Sequence, residues 1–134
     1  MEQVQLEVID IWHFGLSDAF APEKSLASIA DEITGALHNY EYRGQGVHEA
    51  TEALAAHALN HRSFSPVLFW DLLNAAELNF DELYRQYVGK NVLNMFRQDH
   101  GYKEGTYVKQ WQGREDNEHL SELLKQLDAN APDY

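Results

Sequence analysis

The segment QVQLEVIDIWHFGLS, residues 3–17, decides the fold class. Val4, Leu6, Val8, Ile9, Ile11, Trp12, Phe14 and Leu16 surround most of a helix, and a helix that is apolar nearly all round is normally buried. Glu7 and Asp10 lie inside this run, three residues apart and on one helical face. A buried carboxylate must be paired, protonated or bound to metal. No Lys or Arg precedes Lys24, so the two acids need a partner from elsewhere.

The blocks that follow are helical as well. Pro22 suits a first helical turn, with Glu23 near the positive end, and Leu26, Ile29, Ile33 and Leu37 recur at helical spacing towards Tyr40. HEATEALAAHALNH (48–61) is rich in Ala and Glu. Ser65-Pro66 is a cap followed by a favoured first residue, opening PVLFWDLLNAAEL. Phe80 to about Asp99 forms the next helix, with Asp81 and Glu82 in its first turn, and DNEHLSELLKQL (116–127) the last. No strand of alternating character stands out, and the tail ANAPDY is expected to fray. The fold class is all-α, a bundle of about five or six helices in one domain spanning residues 1–134.

Composition narrows the function. The chain has 134 residues, 44% of them apolar, and no cysteine, which excludes disulfides and suits a reducing cytoplasm. It lacks an apolar run of about eighteen residues, so no membrane span is expected. The first residues do not form a basic region leading into an apolar core and a cleavage site, so no secretory signal is expected either. A net charge of −12 repels bulk nucleic acid and anionic membrane. The charge is uneven, however: six of the ten basic residues fall between Arg85 and Arg114, beside only Asp99 and Glu104. A cationic island on an acidic chain points to a small polyanion, the alternative being a solvated charged face.

Within KNVLNMFRQ, Val88, Val92, Met95 and Phe96 form one face, and Lys90, Asn94 and Arg97 form a polar stripe on another. The stripe leads into DHGYKEGTYVKQWQG, where Tyr102, Lys103, Tyr107, Lys109 and Trp111 stand between glycines. Lys, Arg and Tyr donate to phosphate oxygens, and Gly lets backbone N–H groups come close, so the set predicts phosphate binding. A loop that packs back by its aromatics is the alternative, preferred for Trp111 alone. Glu7 and Asp10 can share a hard cation such as Mg²⁺; a structural pair capped by Arg97 or Lys109 competes with that reading. His57 and His61, four apart, could hold zinc but lack a third ligand, so they read as ordinary histidines. His13 lies one turn from Asp10, and Glu49 and Glu52 read as a solvated face.

Two segments together, EVIDIWHFGLSD and GKNVLNMFRQDHGYKEGTYVKQWQGREDNEHL, resemble the all-α dimeric dUTP diphosphatases, relatives of the MazG-like pyrophosphohydrolases. N-x-F-R-Q, G-Y-K-x-G-x-Y and W-x-G-x-E-D-N occur in the family's order. The resemblance covers roughly residues 3–17 and 87–120. It implies Mg²⁺-dependent hydrolysis of dUTP to dUMP and pyrophosphate, with dUDP left open as a substrate. Glu7 and Asp10 match the family's second acidic metal motif. Lys90, Asn94, Arg97, Lys103, Tyr107 and Lys109 match nucleotide-holding positions, and Asn117 falls in E-D-N. The family's upstream E-E-x-x-E helix has no counterpart here, since only six residues precede Glu7. Half the metal carboxylates and most uracil-reading residues are therefore expected to be missing. Three explanations stay open: an incomplete chain, a second copy or partner chain that supplies the helix, or a non-catalytic module that binds phosphates or a partner. A homodimer is expected, because Trp12, Phe64, Phe69, Trp70 and Phe80 exceed what a short bundle covers.

Overall fold

The apolar character of residues 3–17 produces α1, Glu2–Ala19. The computed structural model describes residues 1–128 and 131–132 of the chain. After α1 come α2 (Leu26–Ala36), α3 (Val47–His61), α4 (Pro66–Ala75), α5 (Phe80–Asp99), strands β1 (Gln110–Trp111) and β2 (Arg114–Glu115), and α6 (Asp116–Leu124). Six helices agree with the all-α reading. The chain divides into two compact units, Met1–Asn79 and Phe80–Tyr134. No helix among the described residues is long and apolar enough to cross a membrane. The expected fraying of ANAPDY falls on a segment of which residues 129, 130, 133 and 134 lie outside the described residues.

In the first unit α4 is the hub, packing against α1, α2 and α3. Its start follows from sequence. Ser65 Oγ accepts from the Leu68 N–H at 3.3 Å, Pro66 fills the first turn, and Phe64 just before the cap meets Phe69 in the next turn at a ring separation of 5.6 Å. This is a hydrophobic staple, which fixes the angle at which the chain enters the helix. Phe69, Leu72, Leu73 and Ala76 are fully buried, and Trp12 of α1 stacks on Phe69 at 5.0 Å. The end of α4 lacks a glycine: Glu77 adopts φ 57° and Leu78 N–H reaches Leu73 O at 3.0 Å. That closure lets buried Leu78 turn back, and the helix stops short of the AEL predicted to continue it.

Two expectations are corrected here. Pro22 does not open α2; Ser25 does, its hydroxyl accepting from the Ser28 N–H at 3.1 Å, and the helix ends at Ala36 rather than near Tyr40. A side-chain cap outweighs a favourable proline, because it satisfies an otherwise orphaned donor. Nor is α1 buried all round. It buries Val8, Ile9, Trp12 and Gly15, while Phe14 is 71% exposed, Glu7 is exposed and Asp10 half-buried. Glu7 accepts from Gln3 Nε2 at 2.9 Å.

The carboxylate that is buried in an apolar helix is Asp71, in α4. It accepts from the Tyr40 hydroxyl at 3.0 Å and Arg43 Nε at 2.9 Å, with Arg43 Nη2 also bonded to Oδ2. Burial, followed by the Asp71 carboxylate, pushes the Tyr40 hydroxyl up to about 12. The pair ties the segment between α2 and α3 onto the hub.

In the second unit α5 packs on α6. Gly89 admits α6: a Cβ there would lie 2.7 Å from the buried Leu124 side chain. The expected absence of strands is also corrected. β1 and β2 pair antiparallel, Gln110 with Glu115 and Trp111 with Arg114. Gln112 and Gly113 at the tip have φ 52° and 81°, the positive pair a two-residue hairpin demands. Strands of two residues are too short to show alternation, so only the tip carried a signal.

Two glycines make opposite predictions. A Cβ at Gly15 would lie 2.5 Å from the Phe64 ring, whereas one at Gly35 of α2 meets nothing within 4 Å. Gly15→Ala should lower stability by about 1–3 kcal/mol despite the better helix former, and Gly35→Ala should raise it by up to about 1 kcal/mol. Urea unfolding of both variants checks the pair.

Candidate functional site

The segment after α5 is shaped by its glycines. Tyr102 N–H bonds Arg97 O at 3.0 Å and Gly101 N–H reaches Gln98 O, with Gly101 at φ 89°. This closes the helix in the left-handed turn that glycine permits. Gly101 O then accepts from the N–H groups of Thr106 and Tyr107 at 3.0 and 3.3 Å, folding residues 101–107 into a tight turn. The turn aims Tyr107 inward, beside Phe96 and Trp111. Trp111 packs against Phe96 at 5.6 Å and stacks on His119 at 5.8 Å, so it is structural, as preferred for it alone.

The centre of this unit is Asp116, the first residue of α6 and 1% exposed. Its carboxylate accepts from Arg97 Nε at 2.8 Å, Arg97 Nη2 at 2.6 Å and the Tyr107 hydroxyl at 2.7 Å. Its backbone N–H donates to Lys109 O at 2.9 Å. One buried group thus joins α5, the glycine-rich segment and α6. The Arg97 hydrogen bonds hold the Asp116 carboxyl below the usual aspartate range, although burial opposes them. Asp116 in turn raises the Arg97 guanidinium, and burial, then Asp116, raises the Tyr107 hydroxyl.

Several expected ligand residues gather at this junction. Arg97 Nη1 reaches Asn94 Oδ1 and Nη2 reaches Asn117 Oδ1, each at 3.4 Å. Lys109 joins through its carbonyl, while its ammonium lies 5.7 Å from the Tyr102 ring centre. Lys103 is exposed in the turn, and Lys90 is half-buried one helical turn before Asn94. The cationic island is smaller than the sequence indicates. Arg97 is paired with Asp116, and Arg114 with Glu122 at 2.9 Å, so acids that follow the island fold back onto it. Asp116 itself escaped sequence reasoning, although it stands inside E-D-N beside Asn117. The signal was Arg97, a cation with no acid one turn away on its own helix.

Glu7 and Asp10 belong to the other unit, on one face of α1. Two carboxylates one turn apart, one exposed and one half-buried, suit a hard cation that keeps waters. Among the described residues no group of three or more His, Cys, Asp or Glu could hold a metal. His57 and His61 lie side by side with ring centres 4.4 Å apart, and His57 Nε2 is 3.3 Å from Ser63 Oγ. One turn beyond Asp10, Phe14 and Gly15 line a largely apolar cavity of about 460 Å³ with Ile11, Leu54, Ala58 and Phe64.

Acid should act on Asp116 with a defined sign. The unfolded chain takes up its proton first, near pH 4, so the stability the pair contributes is present above that pH and is lost as pH falls through the depressed folded value. Asp116→Asn should cost about 2–4 kcal/mol at pH 7, and the gap to wild type should narrow below pH 4. Denaturant titrations at pH 7, 4 and 3 read this directly.

No curated protein matches the chain. A family model described as dUTPase matches residues 1–102, a stretch that contains Glu7, Asp10, Lys90, Asn94 and Arg97 and runs through the middle helices that carried little motif content. Matched over three-quarters of its length, the chain belongs to the dUTPase family.

Proposed function

We propose that this chain is a Mg²⁺-dependent hydrolase that splits dUTP to dUMP and pyrophosphate. The observation that carries the reading is the family match over residues 1–102, which takes in both the α1 carboxylates and the α5 polar stripe. Because the match crosses the division at Asn79, residues 1–134 are read as one working domain. The roles divide by chemistry. Glu7 and Asp10 are the oxygen donors for the metal, with waters, substrate phosphates or a second copy completing the shell. When bound, the ion draws charge from the phosphates and makes water more acidic. Glu7 and Asp10 are also the catalytic pair, one of which orients or deprotonates the attacking water. Lys90, Asn94, Arg97, Lys103, Tyr107, Lys109 and Asn117 form the nucleotide-holding set, whose N–H and O–H donors meet charge that develops during hydrolysis.

The cavity beside Phe14 supports a nucleotide rather than bare phosphate. Its volume falls within the roughly 300–1,000 Å³ of small-molecule pockets, and its walls offer apolar surface to a base. Of the residues that made a homodimer expected, Trp12 and Phe69 are buried within the chain and do not support it; Phe80, and in the first unit Phe14, Phe20 and Leu59, are exposed and do.

A second reading, a non-catalytic module that binds phosphates, is favoured by one observation: no third metal-ligating side chain joins Glu7 and Asp10 among the described residues. Pyrophosphate release from dUTP, assayed with and without Mg²⁺, separates the two. Hydrolysis should require Mg²⁺, and Glu7→Gln should lower it by more than about a hundredfold, beyond the 10–100-fold that an outer partner costs. Binding of a non-hydrolysable dUTP analogue without any turnover of dUTP would select the second reading. Light scattering should give twice the chain mass at micromolar concentration; a clean monomer contradicts the dimer.

A further inference from the structure

The structure assigns a second kind of cation site to the C-terminal turn of α3: His57 and His61 chelate a divalent transition metal of the zinc type, with the Ser63 hydroxyl at a third position and water at the fourth. Nothing in this site depends on dUTP hydrolysis, and its chemistry differs from that of the α1 carboxylates.

Spacing in the sequence leaves the two histidines without a third ligand, and the fold supplies one. α3 ends at His61, and Arg62 adopts φ 51° with its N–H bonded to Ala58 O at 2.9 Å. This left-handed residue turns the chain back. Phe64 N–H then donates to Asp18 Oδ2 at 3.2 Å, which pins the returning segment to α1. Ser63 stands between these two anchors, and its hydroxyl comes to lie beside His57. The third donor is a hydroxyl, so the site does not need a group of three His, Cys, Asp or Glu, and no such group is present among the described residues.

The distances fit one ion. Zinc–nitrogen and zinc–oxygen bonds run about 2.0–2.2 Å, so two donors at a tetrahedral angle stand about 3.4 Å apart, and the ring centres of two ligating imidazoles about 5 Å apart. His57 Nε2 and Ser63 Oγ are 3.3 Å apart, and the two ring centres 4.4 Å apart with planes inclined at 41°. As a hydrogen bond 3.3 Å is long; as the separation of two ligands it needs almost no adjustment. The His61 side chain is exposed, so its ring can swing outward by the small remainder.

Charge and ligand type select the ion. The C-terminal end of a helix carries the negative end of its dipole, which favours a cation. Imidazole nitrogens suit zinc, copper and nickel, whereas carboxylate oxygens suit magnesium. An ion of the zinc type is therefore drawn to this turn, and Mg²⁺ is not.

The test titrates the full ¹⁵N-labelled chain with Zn²⁺ in excess Mg²⁺ and follows the histidine ring signals. The His57 and His61 rings should shift together and saturate at one ion per chain, while His38, His48, His100 and His119 stay in place. His57→Ala and His61→Ala should each weaken zinc by at least about tenfold, since a lost ligand costs no less than the 10–100-fold of an outer partner. Neither side chain is fully buried, so without zinc both variants should unfold as wild type does. Added zinc should raise the unfolding midpoint of wild type above that of either variant. Zinc that shifts one ring without the other, leaves the pair unmoved, or binds both variants as tightly as wild type overturns the site. So does Mg²⁺ alone, if it moves both rings.

Discussion

A carboxylate withdrawn from water must find a countercharge, and each unit of this protein is organised around one that has done so. Asp71 is fully buried in the hub helix of the first unit, and Asp116 is 1% exposed at the start of the last helix in the second. Removing one partner of such a pair leaves an uncompensated buried charge at a cost of about 3–5 kcal/mol. The pairing therefore constrains chain segments that have no regular structure of their own. Arg43 and Tyr40 hold the connection between α2 and α3 against α4. Arg97 and Tyr107 hold the turn rich in glycine between α5 and α6. Helical packing alone leaves both segments undetermined.

The same constraint changes how the charge distribution works. Read along the chain, residues 85–114 are a basic island followed by an acidic run. Folded, the two are partly one another's partners: Arg97 takes Asp116, and Arg114 takes Glu122. These pairs differ in kind. The Arg114 and Glu122 side chains are 41% and 57% exposed, a surface pair of small value. Arg97 and Asp116 are 12% and 1% exposed, so theirs is the pair whose loss would strand a charge away from water. The charge that the fold leaves exposed there, as at Lys103 and Lys109, is too sparse for a nucleic-acid track.

Much of the fold was legible because helices announce their ends locally. Ser65-Pro66 opened α4, and the acids Asp81 and Glu82 marked the start of α5. The start of α2 was misread because two valid local signals competed, Pro22 and Ser25, and only the capping hydrogen bond decides between them. The hairpin was missed because its strands hold two residues each. The candidate site was legible as a residue set and not as a network. Arg97 lies 19 residues from Asp116, and Arg43 28 from Asp71. No periodicity links such positions; only the folded path of the chain does.

The opening expectation, that an acid in an apolar helix must be paired, was sound physics applied to the wrong helix. It holds for Asp71 in PVLFWDLL, which lies between fully buried Phe69 and Leu72 and is paired with an arginine. It does not hold for Glu7, which stands exposed and accepts a hydrogen bond from the neutral amide of Gln3. That difference has a functional edge. An acid that is itself buried and paired with an arginine has no charge left for a cation, because binding one would break the pair. An acid held by a neutral amide keeps its full charge. Sorting carboxylates by what neutralises them therefore separates Asp71 and Asp116, which serve the fold, from Glu7, whose charge remains available to an ion.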